Sequence, residues 1–121
     1  MPTRERVEAF VAKVVSNDHV QAIEDFYWPE ASMQENGQPP REGRDGLVAR
    51  EADFLMRVKM HTHPPRAVLI DGDQVAIFWV FDITTPDGVT RRREELALQT
   101  WRGDRIATER FFYDPAETKP L

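Results

Sequence analysis

The sequence contains no cysteine, which excludes disulfides, thiolate nucleophiles and cysteine metal sites. It has no surplus of positive charge either. The formal net charge is -5, so neither a nucleic-acid backbone nor an anionic membrane is an expected partner. No apolar run is long enough to cross a bilayer. The opening MPTRERVEAF lacks the hydrophobic stretch of a signal peptide, and a cytoplasmic location is expected on that basis. There is no phosphate-binding glycine loop, no serine-nucleophile motif, no internal repeat and no low-complexity segment. A chain of 121 residues suits one domain with a sizeable core, expected over 1–115, with 116–121 as a loose tail.

What is present is led by Gln74 to Thr84, QVAIFWVFDIT. Both of its registers are apolar up to Asp82, and it is rich in β-branched and aromatic residues. It reads as a strand buried on both faces. Ahead of it, Thr3 is a candidate N-cap for a helix carrying Val7, Phe10, Val11, Val14 and Val15. Asp18 with Gln21 suggests a capping box for a short second helix whose stripe is Val20, Ile23, Phe26 and Tyr27. Pro29 stops that helix at Trp28. Ala31 to Glu35 reads as a short strand, and a third helix from about Arg44 carries Leu47, Val48, Phe54, Leu55 and Val58.

The remainder alternates as β-structure. Lys59 to His63 is extended and Pro64-Pro65 interrupts it. Asp71-Gly72-Asp73, Pro86-Asp87-Gly88 and Gly103-Asp104 are turns, and a calcium site would need more oxygen ligands than the first two offer. Arg91-Arg92-Arg93-Glu94-Glu95 reads as a solvated hairpin with cross-strand ion pairs. Helices gathered ahead of a meander imply an α+β fold, a curved antiparallel sheet with three N-terminal helices on one face. The opposite face would show Ala76, Phe78, Val80, Leu96, Leu98 and Phe112. That is too much apolar surface to leave in water, so a homodimer through this convex face is expected.

Three stretches carry a family resemblance: DHVQAIEDFYWPEASMQENGQPPREG, QVAIFWVFDI and LALQTWRGDRIATERFFYDP. In order and spacing the chain resembles the nuclear transport factor 2-like superfamily, and within it the SnoaL-like and ketosteroid-isomerase-like proteins. The resemblance implies a cone-shaped, cystatin-like fold with a pocket between helices and concave sheet, and a tendency to dimerise. It covers isomerases, cyclases, dehydratases, epoxide hydrolases and non-catalytic modules, so the site has to decide the chemistry.

By that resemblance, the general base falls at Glu35. The isomerase's oxyanion tyrosine falls at Val11 and its protonated aspartate at Ala97, so both of its donors are missing and steroid isomerisation is not expected. Period-2 alternation puts Ile77, Trp79, Phe81, Ile83, Ala97, Gln99, Trp101, Glu109, Phe111 and Tyr113 on the concave face. With Val11, Phe26 and Phe54 from the helices, the expected pocket lining is Val11, Phe26, Phe54, Trp79, Phe81, Ala97, Gln99, Trp101, Phe111 and Tyr113. Such walls suit a small, mostly apolar molecule, or they simply fill the core. An inward Glu109 needs a partner, with Arg93 and Gln99 as candidates, or a shifted pKa. His61 and His63 on one strand offer three readings: two of three metal ligands with Glu35 or Glu109, a general acid or base, or a half-exposed strand. His63, beside the proline bulge, is the preferred candidate, and His19 is read as solvent-facing.

The expected catalytic set is thus Glu35, His63 and Glu109, working by acid–base chemistry on a small hydrophobic carbonyl compound with no cofactor and no metal. The alternative is a non-catalytic ligand-binding or dimerisation module of the same fold. Convergence of the three residues on one cavity is the observation that separates them.

Overall fold

Thr3 starts the first helix as expected, its Oγ1 accepting from the Arg6 amide at 3.0 Å. In the computed structural model, which describes residues 1–116 and the backbone of 119 and 120, this α1 spans Arg4–Val15 and buries Val7, Phe10 and Val14. The second helix, α2 (His19–Phe26), buries Ala22, Ile23 and Phe26. The expected capping box is not formed. Asp18 has ψ 62 and makes no side-chain cap bond, because its backbone is outside the extended conformation that aims a cap at the first turn. Gln21 instead donates to Asp25 at 2.8 Å.

The chain turns to strand one residue after Phe26, earlier than the sequence suggests. β1 covers Tyr27–Glu35, so Tyr27 leaves the helical stripe and Pro29 sits within an extended segment. β2 (Arg41–Glu42) follows, then Gly43 at φ 98, where a side chain would be strained, and α3 (Arg44–Arg57). The β-half comprises β3 (Lys59–Thr62), β4 (Ala67–Asp71), β5 (Gln74–Thr84), β6 (Thr90–Arg102), β7 (Arg105–Phe112) and β8 (Lys119–Pro120).

The fold is α+β, with three helices over one face of a curved sheet ordered β2-β1-β7-β6-β5-β3, β4 also pairing with β5. The meander β5-β6-β7 is antiparallel, and the sheet becomes mixed only where β1 joins β7 in parallel. Pro64-Pro65 interrupts the outer strand, yet the ladder resumes on both sides. His63 donates its amide to Val80 and Arg66 donates to Phe78, each at 3.0 Å. From the expected tail, residues 117, 118 and 121 lie outside the described residues, while the Lys119–Pro120 backbone pairs with β6 at Arg92 and Arg91.

Alternation sorts the two faces. Val75, Ile77, Trp79, Phe81 and Ile83 of β5 are buried under the helices, as are Ala97, Gln99 and Trp101 of β6. A register shift after Thr100 lets Thr100 pair with Thr108 and Trp101 with Ile106. The extra β7 residue turns both Ile106 and Glu109 inward, three positions apart. At one end of the sheet Phe10 meets Phe26, Tyr27 and Trp101 edge-on, with centroids 5.4, 6.1 and 6.2 Å away. Packed rings close that end and leave room only towards the other. On the convex face Leu96, Leu98 and Phe112 are 41, 38 and 38% exposed. Among the described residues, no helix is long and apolar enough to cross a membrane.

Candidate functional site

A cavity of about 460 Å³ lies between the three helices and the concave sheet. Its apolar wall comes from Phe54 on α3, Trp79 and Phe81 on β5, and Phe111 on β7. Trp79 and Phe81 stack at 5.8 Å between centroids, forming one continuous flat surface.

Two of the three expected catalytic residues face this space. Glu35, at the end of β1, sits at the mouth. Its Oε2 accepts from Arg41 at 3.2 Å and Arg50 at 3.4 Å, and its Oε1 accepts from the Tyr113 hydroxyl at 3.1 Å. Glu109 lies deeper. In the parallel pairing Met33 meets Glu109 and Glu35 meets Phe111, so the two carboxyls project from adjacent strands on one face. Of the two partners expected for Glu109, Gln99 is the one that binds it. Gln99 Nε2 donates to Glu109 Oε2 at 2.6 Å, and the Tyr27 hydroxyl donates to Oε1. Arg93 instead lies over the Tyr113 ring at 4.5 Å, and its Nε is buried with no hydrogen-bond partner among the described residues.

His63 does not reach the cavity. On β3 the inward positions are Met60 and Thr62, and the proline pair leaves His63 on the opposite face. There its Nε2 meets Asp82 Oδ2 at 2.6 Å, and Arg92 holds Asp82 at 2.8 and 3.1 Å. Arg92, with His63 behind it, keeps Asp82 down at about 2. The His61 ring packs edge-on against His63 at 4.5 Å. No group of three or more potential metal ligands occurs among the described residues.

His19, read as solvent-facing, turns inward and lines the cavity. Its Nε2 is 2.9 Å from Thr62 Oγ1, and burial lowers its pKa. Five expected lining residues stand behind the wall. Phe26 and Trp101 are packed into the closed end, Val11 is half-buried against the core without reaching the cavity, and Ala97 and Gln99 are covered by the layer above.

Burial sets the acid–base character of this space. It pushes Glu109 up to about 7, against the opposing pull of Gln99 and Tyr27. Glu95, opposite Trp79 on the neighbouring strand, is pushed by burial to about 8, with Arg93 restraining the rise. Glu51, from α3, is raised by burial and by the charge of Glu35. In the sequence Tyr27 fits the stripe of the second helix and Glu95 a solvated hairpin, whereas both line the cavity, and nothing local marks Glu51. The concave register, counted back from Ala97, does include Glu95 and Arg93.

The SnoaL-like domain model matches residues 7–109. No curated protein matches the chain. A candidate SnoaL-like polyketide cyclase from Mesorhizobium loti is 22% identical with a TM-score of 0.82, covering 93% of this chain and all of its own. An epoxide hydrolase of M. tuberculosis resembling the LEH type is 14% identical with a TM-score of 0.77, over 94% of this chain and 84% of that one. A Catenulispora acidiphila protein with a ketosteroid isomerase-like fold, solved with trimethylamine, is 18% identical with a TM-score of 0.79, over 96% and 90% of the two chains. Identities this low carry the shared fold, while the domain match extends from α1 to β7. The chain belongs to the SnoaL-like domain family.

Proposed function

We propose that the chain is an enzyme that moves a proton on a small, mostly apolar carbonyl compound. The observation that carries this reading is Glu109. A carboxyl held near neutrality in an aromatic cavity can take and return a proton at physiological pH. Glu109 is the acid–base group in this reading. Glu35, whose oxygens are engaged by two arginines and a phenol, orders the mouth and contributes less to the chemistry. The cavity volume of about 460 Å³ fits a one- or two-ring molecule.

Exchange of the α-protons of 2-tetralone for deuterium, followed by NMR, tests it. Wild-type protein should accelerate exchange over buffer, with a pH dependence centred near 7, and Glu109→Gln should lower the rate by 10²-fold or more. Exchange no faster than buffer, together with a thermal shift caused by the same compound, favours the non-catalytic binding module. His63, turned away from the cavity onto Asp82, and the mouth carboxylate, tied up in ion pairs, are what favour that second reading.

The same reading includes a second copy of the chain on the convex face. Register pairing makes one patch of Leu69, Ala76, Phe78, Leu96, Leu98 and Phe112 across four strands. The Lys119–Pro120 backbone extends the sheet edgewise and does not cross that patch. An exposed apolar face of this kind suits an isologous pairing.

A further inference from the structure

Beneath the cavity, Glu109, Gln99 and Trp101 are 3, 0 and 1% exposed. Trp101 Nε1 donates to Gln99 Oε1 at 3.0 Å. An indole N–H can only donate, so it fixes the Gln99 amide with its oxygen towards Trp101 and its nitrogen towards Glu109. Gln99 Nε2 is 2.6 Å from Glu109 Oε2. On the other side the Tyr27 hydroxyl donates to Glu109 Oε1.

When Glu109 is ionised, three donors meet three acceptors. When it is protonated, the added proton needs an acceptor. At Oε2 it faces an amide nitrogen, which has no lone pair to give. At Oε1 it faces Tyr27 Oη, which accepts once its own proton rotates away. Tyr27 lines the cavity, and that is the direction left open.

We propose that Tyr27 hands the proton to the ligand, with Glu109 as its source and Trp101 and Gln99 as the positioning residues that close every other protein route. The proposal rests on the acid–base reading of this cavity. In the forward step Glu109 Oε1–H passes its proton to Tyr27 Oη as Tyr27 releases its own to the carbonyl oxygen, while water in the cavity takes the α-proton and the ketone becomes its enol. The Oε1–H, the old Oη–H and the α-C–H bonds break, and a new Oη–H bond, a ligand O–H bond and a hydronium O–H bond form; the reverse step returns a solvent proton to carbon. What remains is a carboxylate at Glu109 accepting from a neutral Tyr27. Tyr27 never needs to become a phenolate, a state that burial and the neighbouring Glu109 disfavour. The acids whose charge acts on this pair are Glu51 from α3 and Glu95 from β6. His19 from α2 and Arg93 from β6 also line the cavity, with Glu35, Tyr113, Arg41 and Arg50 gathered at its mouth, and Arg44 Nη1 donates to the Tyr27 carbonyl at 3.0 Å.

The test uses full-length protein labelled with ¹³C at tyrosine Cζ and at the glutamate carboxyl. In the wild type, Tyr27 Cζ should step at the midpoint of Glu109. Trp101→Phe frees Gln99 to turn its oxygen to Glu109. That removes a donor from the carboxylate and offers an acceptor to the acid, so the Glu109 midpoint should rise by roughly one to two pH units and the Tyr27 step should shrink. Gln99→Met, a second and volume-conserving variant, should also raise the midpoint. With 2-tetralone, Tyr27→Phe should slow exchange about as much as Glu109→Gln. A Tyr27 signal indifferent to Glu109, an unmoved midpoint in both variants, or full exchange by Tyr27→Phe overturns the relay. If wild-type protein does not exchange 2-tetralone at all, the acid–base reading fails on that compound, and the carbon titrations still decide the relay.

Discussion

The Tyr113 hydroxyl stands 3.1 Å from Glu35 Oε1, which ties the end of β1 to the residue following β7. The other oxygen of the same carboxylate meets Arg41 and Arg50. These arginines come from β2 and α3, so one side chain at the cavity mouth joins four parts of the fold. A carboxylate this occupied has to break contacts before it can act as a base. Glu35→Gln is therefore expected to lower 2-tetralone exchange by about tenfold or less, against 10²-fold or more for Glu109→Gln. Its ion pairs are partly solvated, so the cost in stability should be about 1 kcal/mol or less. Exchange rates and urea midpoints of the two variants check both statements. A larger loss in Glu35→Gln would return the base to the mouth.

The buried carboxyls also shape stability against pH. Glu109 titrates at about 7 and Glu95 at about 8 in the fold, well above an unfolded glutamate. Their folded pKa values are raised, so the folded state holds protons that the unfolded state releases. Their contribution is greatest below about pH 4.5 and is lost as pH rises through 7 and 8. For Glu109 alone the full linkage relation gives a loss of roughly 3–4 kcal/mol. Thermal unfolding at pH 5.5 and pH 9 should show the lower midpoint at pH 9. Glu109→Gln should flatten that alkaline limb, and an unchanged limb would mean that Glu109 is not held as a buried acid.

Which parts of this were legible in the sequence follows from particular residues. Both registers of Val75 to Ile83 are apolar up to Asp82, so alternation there separates two faces without naming the concave one. The polar Gln99 and Glu109 on one side and the exposed Leu96, Leu98 and Phe112 on the other show which face the helices cover. The order of helices and turns gives the α+β class. Tyr27 was hidden because it fits a helical stripe and a strand start equally well, and the tertiary pairing with Ile106 decides for the strand. Alternation with Phe111 and Tyr113 already turns Glu109 inward, whereas Ile106 joins it there only because a bulge inserts a residue, which no local pattern announces. His19 reads as solvent-facing because a helix start is usually wet, whereas here its ring packs against Phe81 and Thr62. Glu51 sits between arginines on α3, and only the packing angle of that helix shows that it faces the cavity.

His63 gives a test in the opposite direction. Its side chain engages Asp82 on the face away from the cavity, so His63→Gln should leave 2-tetralone exchange within about twofold of wild type. The Asp82 pair should instead act on stability. The Arg92 guanidinium holds the folded Asp82 pKa at about 2, below the ordinary value of 3.8. The stabilisation is therefore present above about pH 4 and is lost as pH falls towards 2. Asp82→Asn should cost about 1–2 kcal/mol at neutral pH and about a third of that at pH 2.5, as read from urea melts at the two pH values. A pH-independent cost would point to packing in place of the ion pair.

The convex face supplies the last test. Leu96 pairs with Phe78 on one side and with Phe112 on the other, and Leu98 pairs with Ala76. These side chains form one apolar strip across three neighbouring strands, extended onto β4 by Leu69, which is 66% exposed. Arg66 and Arg110 lie over the rings of Phe78 and Phe112, at 5.4 and 4.7 Å from their centroids. Their guanidinium groups thus lie over the rings, and Arg110 stands opposite Leu98 within the strip. If two copies meet here, light scattering should give the mass of a dimer at micromolar concentration. Leu96→Glu combined with Leu98→Glu would place like charges in the middle of the contact, and the mass should fall to that of one chain. The cavity lies on the other side of the sheet, so the helical signal should persist in the double variant. A wild-type protein that stays monomeric at high concentration, with the strip wet, removes the second copy from this account.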